Sequence, residues 1–182
     1  MIKTLKMALL TTIVGTSLYA SNYDSETKSF IGLEAGYAVL DGKKFNLLPD
    51  EDSSFYEGSG IEYGIRIGAQ NDEWRATLAF NYYDNNDDAD DQNLERGQAM
   101  VDYFFLSDPS ATIRPYIGAS IGYANYESTF VDESGLVYGG QAGVVISSGE
   151  SLDIDLSYRY SLGQVEVLNS VSSVTVGVNY IY

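Results

Sequence analysis

Ser151-Leu-Asp-Ile-Asp-Leu-Ser-Tyr-Arg-Tyr160 puts Leu152, Ile154, Leu156, Tyr158 and Tyr160 on one side of an extended chain and Asp153, Asp155 and Arg159 on the other. Successive strand side chains point to opposite faces, so this stretch reads as a β-strand with one apolar and one charged face. The closing stretch repeats the pattern, with Val174, Val176, Val178, Tyr180 and Tyr182 on one face and Thr175 and Asn179 on the other.

Working back toward Ser29, about eight such segments follow one another between turn residues. Their apolar faces hold Ile31, Leu33, Ala35 and Tyr37; Ile61, Tyr63, Ile65 and Ile67; Trp74, Ala76, Leu78, Phe80 and Tyr82; Ala99, Val101, Tyr103 and Phe105; Ile117, Ala119, Ile121 and Tyr123; and Leu136, Tyr138, Ala142, Val144 and Ile146. The opposite faces are polar or small, with Glu34, Glu62, Arg66, Arg75, Asn81, Asp102, Arg114, Ser120 and Gln141. Every strand shows the same division, and several sustain it for the roughly 9–11 residues that cross a bilayer at a tilt. The expectation is an all-β fold: an eight-stranded antiparallel up-and-down transmembrane β-barrel over 29–182, with lipid outside and a polar lumen inside.

A soluble lipocalin-like barrel would carry the same alternation with its faces exchanged. The arginines separate the two. Arg66, Arg75, Arg114 and Arg159 fall mid-strand on polar faces, whereas Lys28, Lys43 and Lys44 lie at strand ends or in loops. The rigid guanidinium fork suits a buried carboxylate network. Glu34, Glu62, Arg66, Arg75, Asp102, Arg114, Asp153, Asp155 and Arg159 are therefore the expected lumenal charges. They would either pair and close the lumen or line an ion path, and an eight-stranded barrel is only just wide enough for side chains to fill.

Alternating strand direction predicts two aromatic girdles. Threading the chain up and down puts Tyr37, Tyr63, Tyr82, Tyr123, Tyr138 and Tyr160 near one rim, and Trp74, Tyr103, Phe105, Tyr180 and Tyr182 near the other. The connections at 70–72, 107–110 and 147–149 read as short periplasmic turns. Those at 41–60, 84–93, 127–134 and 161–170 read as longer outer loops.

Residues 1–20 read as a signal peptide: Lys3 and Lys6, then the apolar run Met7 to Gly15, then Thr16 to Ala20 with cleavage after Ala20. That apolar run is shorter than the roughly 20 residues of a spanning helix. Residues 21–28 form a short periplasmic lead. Beyond Ala20 the chain sets 8 basic residues against 26 acidic ones, a net charge of −18, which argues against nucleic-acid partners. The absence of cysteine removes disulfides, thiolate metal sites and thiol nucleophiles together.

The phrases Arg114-Pro-Tyr-Ile-Gly-Ala-Ser-Ile-Gly-Tyr123, Ser151 to Tyr160 and Val174 to Tyr182 resemble the outer-membrane β-barrel superfamily of the OmpA/OmpX and opacity-protein type. The resemblance spans the chain from about Ser29 and implies a fold rather than an activity. It also implies a Gram-negative outer-membrane location and an assembly signal read by the outer-membrane assembly machinery at Val176, Val178, Tyr180 and Tyr182, where a terminal Tyr replaces the commoner Phe. The barrel is expected without the peptidoglycan-binding domain of larger relatives. Enzymes built on such barrels resemble one another in using a histidine as acid or base. This sequence has none, so no enzyme is expected.

Two loops stand out. In Asp84-Asn-Asn-Asp-Asp-Ala-Asp-Asp-Gln-Asn-Leu-Glu95, the residues Asp84, Asn86, Asp88, Asp90 and Glu95 occupy positions 1, 3, 5, 7 and 12 of a calcium loop, although Ala89 stands where such loops need glycine. Weakly held calcium and a merely solvated acidic tip are the two readings, and no other cofactor is expected. The first loop mixes Lys43, Lys44, Phe45, Leu47 and Leu48 with Asp50, Glu51, Asp52, Phe55 and Tyr56, a composition that fits either an exposed binding surface or residues folded over the mouth. The expected function is a structural or surface-binding role through such loops, adhesin-like or envelope-stabilising. A narrow ion-conducting pore is the alternative, and a lipid-modifying enzyme ranks third. The expected partners are outer-membrane lipids and lipopolysaccharide, the assembly machinery, and an extracellular ligand at the loops.

Overall fold

The computed structural model describes residues 27–42, 57–87, 90–106, 108, 111–128, 132–164 and 168–182. Residues 1–26, which hold the signal-peptide reading and most of the periplasmic lead, lie outside them, as do 43–56 of the first loop. The strands are β1 (Lys28–Gly42), β2 (Glu57–Gln70), β3 (Trp74–Asp87), β4 (Asp90–Phe104), β5 (Ile113–Ser128), β6 (Asp132–Ser147), β7 (Leu152–Gly163) and β8 (Leu168–Ile181). Each pairs antiparallel with its sequence neighbour, and β8 pairs back onto β1, so the sheet closes and has no edge. The seam is tied at its foot by two backbone bonds between Ser29 and Tyr182, of 3.1 and 2.9 Å.

The alternation read from the sequence is the alternation of the wall. Leu33 is 67% exposed and Val174 59%, whereas Glu62 and Asp102 are 0% exposed. This inverts a soluble barrel and matches a wall solvated by lipid.

All four outer connections are shorter than expected, and β1 and β2 pair as far as Asp41 and Glu57. Residues 84–93 are not a loop, because β3 and β4 stay paired as far as Asp87 and Asp90. Likewise β5 and β6 pair to Glu127 and Asp132, and β7 and β8 to Leu162 and Ser170. Apolar alternation stops where lipid stops, but backbone pairing continues into water, where both faces can be polar. The strands, of 12 to 16 residues, accordingly outrun the membrane at this end. At the opposite end the turns are short. Asn71 Oδ1 accepts from the backbone N–H groups of Glu73 and Trp74 at 2.9 and 2.7 Å, and Gly149 takes a φ of +85° that favours glycine. β4 ends at Phe104, so Phe105 lies one residue beyond its expected strand, although its ring still meets Tyr103 at 6.1 Å.

The inward face also departs from the expected polar-or-small character. Leu40, Tyr83, Leu94, Tyr126, Val137 and Val171 pack into an apolar cluster at the hairpin-tip end. Phe104, Tyr116 and Val145 form a second near the short turns. Between these two apolar lids lie the buried charges other than Arg114 and Asp153, which border a cavity of about 380 Å³ at the short-turn end.

Glycines on the inward face give the large side chains room. A Cβ on Gly139 would collide with the Tyr160 carbonyl oxygen and lie 2.7 Å from Ser161 Cα, so the β6–β7 seam would have to shift, whereas one on Gly97 meets just the Phe80 ring, at 3.4 and 3.5 Å. Urea unfolding of the protein refolded into vesicles should therefore show Gly139→Ala destabilised by about 1–3 kcal/mol. Gly97→Ala should stay within about 0.5 kcal/mol of wild type.

Candidate functional site

β1 brings Glu34 to the middle of the lumen with a glycine beside it on each neighbouring strand, Gly64 on β2 and Gly177 on β8. Larger residues at those two positions would fill the space around the carboxylate. Arg159, from β7, two strands away around the closed sheet, donates to both oxygens of Glu34 at 2.7 Å. Arg66 Nη1 reaches the same carboxylate at 3.3 Å and Asn81 Nδ2 at 2.6 Å. Fork-to-fork pairing of this kind is the strongest geometry an ion pair offers.

The network runs on from there. Arg66 donates through Nε to Asn179 at 2.6 Å, and its Nη2 lies 3.3 Å from Asp155. Asp155 also accepts from Arg75 at 2.5 Å and from the Tyr116 hydroxyl at 2.8 Å. Arg75 Nε continues to Asp102 at 2.8 Å, and Asp102 accepts from Gln141 as well. Glu34, Arg66, Arg75, Asp102, Asp155 and Arg159 thus form one continuous array of three cations and three anions.

Two further pairs flank it. Arg96 bonds Glu62 on one side. On the other, Arg114 lies 3.7 Å from Asp153, which accepts from Gln70 at 2.8 Å. Arg75 and Arg114 also sit over aromatic rings of the lower lid, at 4.3 Å from Tyr116 and 4.5 Å from Phe104. Among the described residues, five buried arginines face five buried carboxylates and leave the lumen neutral.

The structure places all nine charged residues singled out in the sequence inside the barrel. Sequence reasoning missed Arg96, along with Gln70, Gln98 and Tyr116. The parity Arg96, Gln98, Met100, Asp102 carries the signal, but the acidic, loop-like composition of 84–95 masks the start of β4.

The five proposed calcium ligands fall on a hairpin rather than in one loop. Asp84 and Asn86 lie on β3, Asp90 and Glu95 on β4, and Asp88 falls outside the described residues. Asp84 pairs with Asn93, while Glu95 stands opposite Tyr82. A calcium loop wraps one short segment around the ion, whereas here the segment is drawn out into two paired strands. Among the described residues no group of three or more acidic side chains is placed to hold a metal ion.

On the outer wall, Tyr63 and Tyr82 meet at 5.5 Å, the Tyr37 hydroxyl donates to Ser59 at 2.8 Å, and the Tyr123 hydroxyl lies 2.6 Å from Ser134 Oγ. Tyr138 and Tyr160 are exposed on the same wall. At the foot, Trp74 and Tyr103 meet at 5.0 Å, and Tyr180 stacks on Tyr182 at 6.4 Å. Val176 and Val178 are exposed on β8 beside them.

The family model for the outer membrane protein beta-barrel domain matches residues 8–181. The chain belongs to this outer-membrane β-barrel family. Among solved structures it is similar to Neisserial surface protein A, with 21% identity over 85% of this chain and 98% of that one, and a TM-score of 0.67. It is also similar to outer membrane protein H of Pseudomonas aeruginosa (18% identity, 85% and 99% coverage, TM-score 0.56). The N-terminal β-barrel domain of OprF from the same organism is a third (17%, 86% and 100%, TM-score 0.51). No curated protein sequence matches the chain. At these identities the likeness is one of fold, and it makes the exposed apolar faces of this outer-membrane barrel its lipid contact.

Because Glu34 neutralises two arginines, Glu34→Ala should destabilise the refolded barrel by about 3–5 kcal/mol, the cost of leaving buried charge uncompensated. The exposed turn residue Glu150 provides the control, since Glu150→Ala should stay within about 0.5 kcal/mol in the same urea titration.

Proposed function

We propose that this protein is a non-enzymatic barrel of the outer membrane whose role is structural or surface-binding, exercised through the segments at its hairpin-tip end. The observation that carries this reading is the filled lumen. A neutral ion-pair array lies between two apolar lids, and an eight-stranded barrel has little interior beyond what side chains occupy. An ion path would need unpaired charge facing water, and hydrolytic chemistry of the kind known on such barrels would need a histidine, which the chain lacks. The narrow pore therefore ranks second and the lipid-modifying enzyme third.

What remains able to meet another molecule is the outer wall and the cell-surface end. The lipids and lipopolysaccharide of the outer membrane are the partners of the wall, and the aromatic last strand is the segment offered to the assembly machinery. An extracellular ligand would meet residues 43–56, whose sequence combines Phe45, Leu47, Leu48, Phe55 and Tyr56 with charges of both signs. A surface location fits the name of Neisserial surface protein A, the relative of the same fold.

The test replaces residues 43–56 by a short Gly-Ser linker between Gly42 and Glu57. Cells displaying equal amounts of the two barrels are then compared for retention on host-cell monolayers and for detergent sensitivity. A binding role predicts lost retention with unchanged sensitivity. An envelope role predicts increased detergent sensitivity when the whole chain is deleted. If neither the replacement nor the deletion changes either readout, the proposal fails.

A further inference from the structure

The outer wall carries a trench of about 1000 Å³ crossing β1 to β6 toward the hairpin tips. The register explains it. One cross-strand row runs Leu33, Ile65, Phe80, Gly97 and Tyr123, and the next runs Tyr63, Tyr82, Glu95, Asn125 and Ser134. Between them lie Gly64, which has no side chain, and Asn81 and Arg96, whose side chains are buried in the lumen, so the floor of the trench is backbone. Gly97 deepens it, because a Cβ there would meet nothing but the Phe80 ring.

The two rows differ in chemistry along their length. Toward β1 and β2 the walls are Leu33, Ile65 and Tyr63. Toward β5 and β6 they end in Asn125 and Ser134, with the Tyr123 hydroxyl 2.6 Å from Ser134 Oγ. The charged side chain on the outward face of this stretch is Glu95, an exposed carboxylate. An apolar channel that opens at the tyrosine girdle onto an acidic, hydroxylated rim has the shape and polarity of a single lipid chain with its head.

From this geometry we infer that the trench is a binding site for one acyl chain of a lipid in the cell-surface leaflet, with a hydrogen-bond-donating head at Glu95, Asn125 and Ser134. Continuity with the lipid-facing wall selects lipid over a protein partner, and the carboxylate selects an amide, hydroxyl or ammonium head over a bare phosphate. The size lies at the top of the range for small-ligand sites of about 300–1000 Å³. A chain held there differs from ordinary annular lipid in contacting the protein on both sides. The inference rests on the membrane-embedded barrel and not on residues 43–56, so it and the surface-binding role fail in different experiments.

Native mass spectrometry of the refolded full chain tests it, with dimyristoyl phosphatidylethanolamine and dimyristoyl phosphatidic acid as probes. Gly97→Trp fills the trench, Gly97→Leu serves if the Trp variant does not refold, and Leu156→Trp on β7 is the control. Wild type and Leu156→Trp are expected to keep one phosphatidylethanolamine through detergent stripping. Retention should fall at least fivefold in the Gly97 variants, and phosphatidic acid should be kept less than phosphatidylethanolamine. Equal retention by all variants overturns the site, leaving annular lipid only. Equal retention of the two lipids overturns the assignment of the head. A dimer of barrels that Gly97→Trp dissolves makes the trench an interface between copies and also overturns it.

Discussion

The carboxylate of Glu34 is the constraint around which the inside of this barrel is built. It takes both donors of Arg159 at 2.7 Å, and the Nη1 group of Arg66 at 3.3 Å, from strands far apart in sequence. A buried ion is costly to desolvate, and the attraction between partners offsets that cost only when geometry and remaining hydrogen bonds are good. Here the requirement passes from group to group. Arg66 needs Asp155, Asp155 needs Arg75, and Arg75 needs Asp102. The glycines beside Glu34 follow from the same need, because three large groups must converge on one carboxylate inside a narrow wall.

The lids complete the arrangement. Leu40, Leu94 and Tyr126 above, and Phe104 and Tyr116 below, keep the six-residue array around Glu34 and Asp155 away from bulk water and raise the strength of each interaction in it. They also explain why the strands run past the membrane. The upper lid is supplied by inward residues of the extended hairpins, so shortening those ladders would open the mouth. Seen this way, wall and plug are one structure: the outward residues of each strand meet lipid while the inward ones hold the barrel closed.

Much of this was legible in the sequence, because period-two alternation states which residues face lipid and which face the lumen. The eight strands, their order and the inward direction of Glu34, Arg66 and Arg159 follow from it. Three things were hidden for physical reasons. Lipid-facing alternation ends at the membrane surface while pairing does not, so 84–93 read as a loop and Arg96 went unnoticed. The inward Tyr83, Leu94 and Tyr126 lie on the same extensions, so the upper lid was hidden with them. Partner choice across the lumen depends on register and shear, and no local pattern says that Glu34 meets Arg159. The calcium-like spacing of Asp84 to Glu95 shows the converse: that spacing specifies a site where one short segment wraps around an ion, and here the segment is drawn out along β3 and β4.

If a neutral, lidded array of ion pairs closes the lumen, single-channel recording of the refolded protein in a planar bilayer should find the wild type silent and Arg66→Ala leaking, since Glu34 and Asp155 each lose a partner in that variant. Steady conductance of the wild type at low voltage would contradict that closure and make the same arginines the lining of a pore.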